Sequence, residues 1–577
     1  MRLCTFARAL AIIAVLLAVP QAYGVQPSRD AGRSSLAAEA EPSRRVARER
    51  QLKELDPVST QDKDSAAELK HPSDDSPYLR NVTSRYLSNK ELDAHLLDFV
   101  SRCGDIAELE QIGKSVEGRP IWALALGTKA VRSPRSDAPA FKYVSNIHGD
   151  EPLGRVFTLA MAEHLCWIWK NRARGSGRQR RRLEEVGLPD AEGSGRFEQA
   201  GEPRKSSSTS DSRPGSRAVK EEDGVLVTNV LKKYTKADFE NMYDNAPELA
   251  LLTKVRLYMV PSLNPDGFER RQRGNAAQKD LNRDFPDRWA DGGSMRDTGK
   301  EQPETVAMMR WTESIDFVAS AVVHGGALVA NYPWDGTHDK ATRYDACPDD
   351  AGFHYLASAY AQWHATMAGP SNKEFPDGTT NGAAWYPIYG SMQDWNYVKQ
   401  GCMELTLELS MIKWPEEKHL AELWALNRQA WVKYPQLATL GGLSGVVQGK
   451  TSRKGGRLVP VRATVQTIDK VSEVFSSADT GVFFKPLAPG THYVEIVARG
   501  YKPWLGDVFV PRNGTGARLN IVLRLLDPHN LRSVDPDAQR WVPLQSTNLV
   551  LGVAGVAVIM ALIERRRRVR ATVNGGA

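Results

Sequence analysis

The sequence predicts an α/β domain with a largely buried sheet, followed by a small all-β sandwich, and three observations carry that expectation. Apolar runs such as Lys254 to Val260 and Phe317 to Val323 look like buried strands, so their sheet should be largely covered. They alternate with the helical patterns Val156 to Trp169 and Glu301 to Thr312, which is the order of an α/β fold. From Gly441 to Leu526 the pattern becomes short strands between Gly/Pro-rich turns: Leu443 to Gly449, Val461 to Ile468, Val482 to Lys485, Thr491 to Ala498 and Leu519 to Leu525. That spacing predicts a sandwich. The chain has 577 residues, more than one hydrophobic core usually supports.

The elements follow in order. Residues 1–24 read as a secretory signal: Arg2 and Arg8, an apolar run from Ala9 to Val19, then small residues at Ala22-Tyr23-Gly24. Residues 25–77 are charged and aperiodic, the composition of a disordered leader or pro-segment. The α/β domain spans 78–440, interrupted at 171–223 by an Arg-, Gly-, Ser- and Glu-rich insertion that reads as a solvated loop. The insertion contains Arg178-Gln179-Arg180-Arg181, a conceivable processing site. The sandwich spans 441–526 and carries no His/Cys/Asp cluster, so packing is its expected task. A linker, 527–546, leads to an apolar stretch, 547–563, about 25 Å long as a helix against a bilayer core of roughly 30 Å. Arg565 to Arg568 follow it. A single-pass span with a cytoplasmic tail at 564–577 is the expectation.

Composition is that of a globular protein, with 41% hydrophobic and 25% charged residues. The net charge of +7 is modest, and no basic nucleic-acid module accompanies it. After signal removal Cys103, Cys166, Cys347 and Cys402 remain, which allow three pairings or free thiols. Asn81-Val82-Thr83 and Asn513-Gly514-Thr515 are glycosylation triplets.

Two histidines, one carboxylate and an open position make a hydrolytic zinc site. His148 and Glu151 form a His-x-x-Glu pair after the strand-like run Phe141 to Ile147, and His324 follows Phe317 to Val323. Both therefore fall at strand ends, where open α/β sheets gather their sites. The spacing alone is weak. His354 and His364 compete, although their helical setting suggests surface or packing roles.

A longer run of blocks is specific: Asn146-Ile147-His148-Gly149-Asp150-Glu151, Asn264-Pro265-Asp266-Gly267, Asp280-Leu281-Asn282-Arg283, His324-Gly325-Gly326, Asn331-Tyr332-Pro333, Met392-Gln393-Asp394-Trp395-Asn396-Tyr397 and Glu404-Leu405-Thr406-Leu407-Glu408-Leu409. In this order they resemble the zinc carboxypeptidase family, in its regulatory branch of carboxypeptidases D, E, M and N. The resemblance implies a mixed-sheet catalytic domain followed by a transthyretin-like sandwich. It implies one Zn2+ per catalytic domain, held by His148, Glu151 and His324, with Glu408 as catalytic carboxylate and Arg273 stabilising the oxyanion. Asn282 and Arg283 match the clamp for a substrate's terminal carboxylate, and Tyr386 the tyrosine that closes over it. Asp335 and Gln393 match the pocket for a basic side chain, an acidic lining that attracts Arg or Lys. Glu404 reads as structural. Peptides with basic C-termini, met in the secretory pathway or at the cell surface, are the expected substrates.

Three positions depart from the family pattern. Asp150 and Asp284 stand where Asn is usual, and Ser391 where Gly is usual. Each carboxylate, if unpaired, would weaken carboxylate binding or shift a pH optimum.

Overall fold

The computed structural model describes residues 69–526 apart from 134–135, 173–232, 241, 244–245, 291–294, 296, 453–455 and 468–472. The predicted signal, most of the leader and insertion, and the apolar stretch 547–563 lie outside the described residues. Among the described residues no helix is long and apolar enough to cross a membrane.

Eight strands form the main sheet: β1 (Ala107–Lys114), β2 (Pro120–Leu126), β3 (Ala140–Ser145), β4 (Arg256–Val260), β5 (Phe317–His324), β6 (Ala327–Tyr332), β7 (Thr379–Asn381) and β8 (Met403–Ser410). Their order is β1-β2-β4-β3-β5-β8-β6-β7. The central four, β4-β3-β5-β8, run parallel, while β1, β2 and β6 pair antiparallel with their inner neighbours. The sheet is thus mixed, as expected. Strands β3 and β8 are buried along their whole length, although in β8 the buried residues alternate between apolar and polar.

Side chains alternate between two cores. Phe141, Tyr143, Ala321, Val323, Leu405 and Leu407 share one core with helices Leu153–Asn171, Asp350–Trp363 and Leu420–Leu440. Val144, Val260 and Val322 face the other, with Met308 and Trp311 of helix Pro303–Glu313 and Trp395 of helix Met392–Gln400. Cys103 and Cys166 are disulfide-bonded, joining the end of helix Asn89–Cys103 to helix Leu153–Asn171. Cys347 and Cys402 are free and buried.

Ordered structure begins before Tyr78, inside the predicted disordered leader. A 3-10 turn, Pro72–Asp75, docks on the helical face. Ser73 Oγ lies 2.7 Å from His164 Nδ1, and Arg428 donates to Asp74 at 2.6 Å. A short polar turn has no periodicity to read; a local cap from His71 and these distant partners hold it.

Beyond Gly441, β9 (Leu443–Lys450), β10 (Leu458–Pro460), β13 (Val482–Lys485) and β16 (Ala517–Leu523) form one sheet. A second comprises β11 (Thr464–Thr467), β12 (Glu473–Phe475), β14 (Gly490–Val497) and β15 (Trp504–Val510). Val447, Val465, Phe483, Ile496 and Val510 fill the core they share. The predicted strand Val461 to Ile468 is shorter, because the chain leaves β10 at Pro460 and pairs again only from Thr464. Strands β10, β12 and β15 were not expected. In β15, Leu505 and Phe509 point outward and are exposed, so the apolar alternation is lost there.

Candidate active site

Adjacent parallel strands β3, β5 and β8 end on the same edge, the crevice favoured for sites in such sheets. Strand β3 stops at Ser145 because Asn146 takes a left-handed φ of 57°, which Asn tolerates better than most residues. Its Nδ2 then donates to His148 O at 2.7 Å, and its Oδ1 accepts from Ser262 Oγ at 2.8 Å. The turn delivers His148 and Glu151 beside His324, the last residue of β5. In the β5–β8 register, His324 pairs with Glu408.

His148, Glu151 and His324 are all buried, and their ligand atoms lie within 4.8 Å of one another. His148 Nδ1 is 3.0 Å and His324 Nδ1 2.8 Å from Glu151 Oε2, with 3.0 Å between the two nitrogens. His148 Nε2 faces Asp280 Oδ1 at 2.9 Å. Donation from Nε2 to that carboxylate leaves the Nδ1 lone pair directed inward. Two imidazoles and a carboxylate converging in a buried site suit zinc as a donor set.

Cations and carboxylates surround this cluster. Arg273 Nη1 lies 3.3 Å from Glu151 Oε1, and its Nε donates to Asp280 Oδ2 at 2.9 Å. Burial works against the Arg273 cation, but Glu151 and Asp280 outweigh it and raise its pKa. Lys413 Nζ donates to Glu151 Oε1 at 3.0 Å and to Asp150 Oδ2 at 3.4 Å. Burial, then the charge on Glu151, push Glu408 up to about 8, against the opposing pull of Lys413 and Arg273.

The other predicted residues gather nearby. Asn282 is buried and accepts Met392 N at 3.0 Å, while Arg283 Nη1 donates to Asn282 O at 2.7 Å. Tyr386 is half-exposed, within electrostatic reach of Glu408, Arg283 and Arg273. Asp335 is buried, and Gln393 Nε2 donates to its Oδ1 at 3.0 Å. Burial raises Asp335 to about 6, although Ser391, Arg283, Asn331 and Arg288 oppose the rise. Glu404 is fully buried and accepts from Ser320 Oγ at 2.7 Å and Asn396 Nδ2 at 2.9 Å. His354 and His364 lie in or at the end of helix Asp350–Trp363, away from the cluster.

The three departures each have a partner. Asp150 pairs with Lys413. Asp284 accepts Gln302 N at 2.7 Å, at the start of helix Pro303–Glu313. Ser391 caps helix Met392–Gln400, accepting Asp394 N at 3.3 Å, and also hydrogen-bonds Asp335.

Sequence reasoning assigned no role to Asp280, Asn331 or Lys413. The first two stand inside the recognised blocks, which were the available signal. Asn331 hydrogen-bonds Asp335, while its Oδ1 and Gln393 Oε1 are buried without a partner among the described residues. Nothing in the local sequence marks Lys413, whose contacts cross more than 260 residues.

The zinc carboxypeptidase family profile matches residues 92–178 and 226–430. Carboxypeptidase SOL1 of Arabidopsis thaliana is 36% identical over 74% of this chain and 71% of its own length. Carboxypeptidase D of Homo sapiens is 30% identical over 74% of this chain, which spans 26% of that longer protein. The carboxypeptidase N catalytic chain of Mus musculus is 30% identical over 74% of this chain and 84% of its own length. With the profile covering half the chain and these relatives most of it, this protein belongs to the zinc carboxypeptidase family and is a metallocarboxypeptidase.

Proposed function

We propose that this protein removes Arg or Lys from the C-termini of peptides and proteins, using one zinc ion held by His148, Glu151 and His324. The observation that carries the specificity is Asp335: a buried carboxylate beside Arg283, with unpartnered acceptors on Gln393 and Asn331. A basic side chain offers the donors and charge that this lining lacks. An apolar side chain would leave the unpaired acceptors of Gln393 and Asn331 buried without a donor.

Zinc in that cluster would polarise a scissile carbonyl and acidify water. Arg283 and Asn282 hold the substrate's terminal carboxylate, for which a planar guanidinium is suited, so only the last residue enters the pocket. Tyr386 closes the rim over it. Glu408, across from His324 on the neighbouring strand, accepts a proton from water and returns it to the departing amine. Arg273 faces the negative charge that develops on the carbonyl oxygen.

Residues 1–24 as a signal and 547–563 as a span would place the catalytic domain on the lumenal or extracellular side of a membrane. Residues 441–526 serve as a packing domain in this reading.

Mass spectrometry of products from the full chain tests the activity, with matched peptides ending in Arg, Lys, Leu or Glu. Loss of only a terminal Arg or Lys is expected. Release of Leu or Glu at equal rates would sink the specificity, and no cleavage by zinc-loaded protein would sink the activity.

A further inference from the structure

The proposed specificity pocket rests on two buried carboxylates. Asp394 accepts the backbone N–H of Asp335, at 3.1 Å to Oδ1 and 3.3 Å to Oδ2. Burial raises both acids, and Asp335 raises Asp394 further. Asp287 and Glu404 also face this pair and add negative charge. Arg283 and Arg288 are the cations that oppose it. In the proposed function Arg283 is committed to the substrate's terminal carboxylate, which leaves Arg288 to the pair.

Arg288 is placed for that task by unusual packing. Its guanidinium lies over Trp334 at 3.9 Å and Trp289 at 4.3 Å, leaving its side chain only 14% exposed. Nη2 donates to Asp345 Oδ2 at 2.7 Å and to Gly336 O at 2.5 Å. Nε faces Asp394 Oδ2 at 3.7 Å, an ion pair without a hydrogen bond. Trp334 and Gly336 are the two chain neighbours of Asp335, so one side chain holds the pocket acid from both sides. Two like charges this close cannot both stay ionised without such compensation.

We propose that Arg288 is a positioning residue for substrate specificity: it compensates Asp394 so that Asp335 keeps the charge offered to a basic side chain. This rests on the reading that the pocket takes Arg or Lys. A clamp that merely holds the loop would affect every substrate alike and at every pH. Charge compensation acts only on basic ends, and more strongly as pH falls.

The test measures kcat and KM from pH 5 to 8 for full-length wild type, Arg288→Met, Arg288→Lys and Arg288→Met/Asp394→Asn. Each variant is assayed with peptides that end in Arg or Leu and are otherwise identical. In wild type, KM for the Arg peptide should rise as pH drops through about 6. Arg288→Met should move the acid limb upward by about one pH unit, which raises that KM about 2-fold at pH 7 and about 10-fold at pH 5. Its kinetics on the Leu peptide should stay within about twofold. Arg288→Lys should restore the acid limb more fully than the KM, because an ammonium supplies charge without the planar fork. The double variant should regain the Arg preference, since one carboxylate alone needs no compensating cation. Equal losses on both peptides, an unmoved acid limb, or a double variant no better than the single one would overturn the proposal. If Arg288→Met does not fold, Asp394→Asn alone should move the limb downward, and an unmoved limb again overturns it. A wild type with no Arg preference overturns the specificity reading itself, before any variant is made.

Discussion

Asp280 bridges two residues of the proposed chemistry, reaching His148 Nε2 through Oδ1 and Arg273 Nε through Oδ2, both at 2.9 Å. One carboxylate therefore orients a proposed metal ligand and the cation proposed to face the carbonyl oxygen. Asp280→Ala should cost about 10–100-fold in zinc affinity, read by competition with a chelator, and should lower kcat as well. Unchanged zinc affinity would reduce the contact to packing.

Glu408 lies on β8 opposite His324 and coordinates nothing in the proposed donor set. Glu408→Gln should bind zinc at wild-type stoichiometry while kcat falls by about 10²–10⁴-fold. Metal content by elemental analysis separates this from a metal-loss phenotype, and a near-normal kcat would remove Glu408 from proton transfer.

Asp335 is raised to about 6 by burial, so its charge is present above that pH and lost as pH falls through it. Affinity for basic ends should weaken below pH 6 mainly through KM. Asp335→Asn should abolish that acid limb and cost about 2–5 kcal/mol in kcat/KM for Arg-ended peptides. A limb that survives the substitution belongs to another group.

His71 belongs to the docked turn ahead of the catalytic domain, and its ring lies 4.8 Å from that of His164. Burial, then His164 and Arg428, lower its pKa to about 4. A folded-state pKa below the unfolded value of 6.5 means protonation favours release. Docking is thus fully stable above about 6.5 and weakens as pH falls towards 4. Protection factors at residues 69–77, with the intrinsic pH dependence of exchange divided out, should fall as pH drops across that window in wild type, and much less in His71→Gln. Protection independent of pH would remove His71 as the cause.

The Cys103–Cys166 bond closes a loop with a sequence separation of 63. Chain-entropy estimates assign such a loop about 4 kcal/mol, with measured values often lower. The double Cys→Ser variant should unfold at lower denaturant concentration with kcat unchanged at 25 °C, because the bond joins two helices away from the metal cluster. A kcat loss without a stability loss would contradict this.

Several features were legible because they are local. Strands β3 and β5 announced themselves as apolar runs, since burial on both faces removes polar alternation, whereas β8 alternates and was legible through its motif block. His148, Glu151 and His324 were legible through their positions just after such runs. Strand β15 was not, because Leu505 and Phe509 face solvent and erase the pattern. The docked turn at Pro72–Asp75 was not either, because its partners His164 and Arg428 are remote in the chain.

By itself the sequence determined the family and the mixed α/β architecture and pointed to the proposed metal ligands and pocket acid, since motif blocks and apolar periodicity are written in consecutive residues. Tertiary structure decided that Cys103 and Cys166 are bonded while Cys347 and Cys402 stay free. It also decided that Asp150, Asp284 and Ser391 are all partnered, and that Arg288 and Lys413 stand beside the site. These are questions of charge compensation and packing. Their energies depend on distances between residues far apart in the chain, which no local pattern encodes.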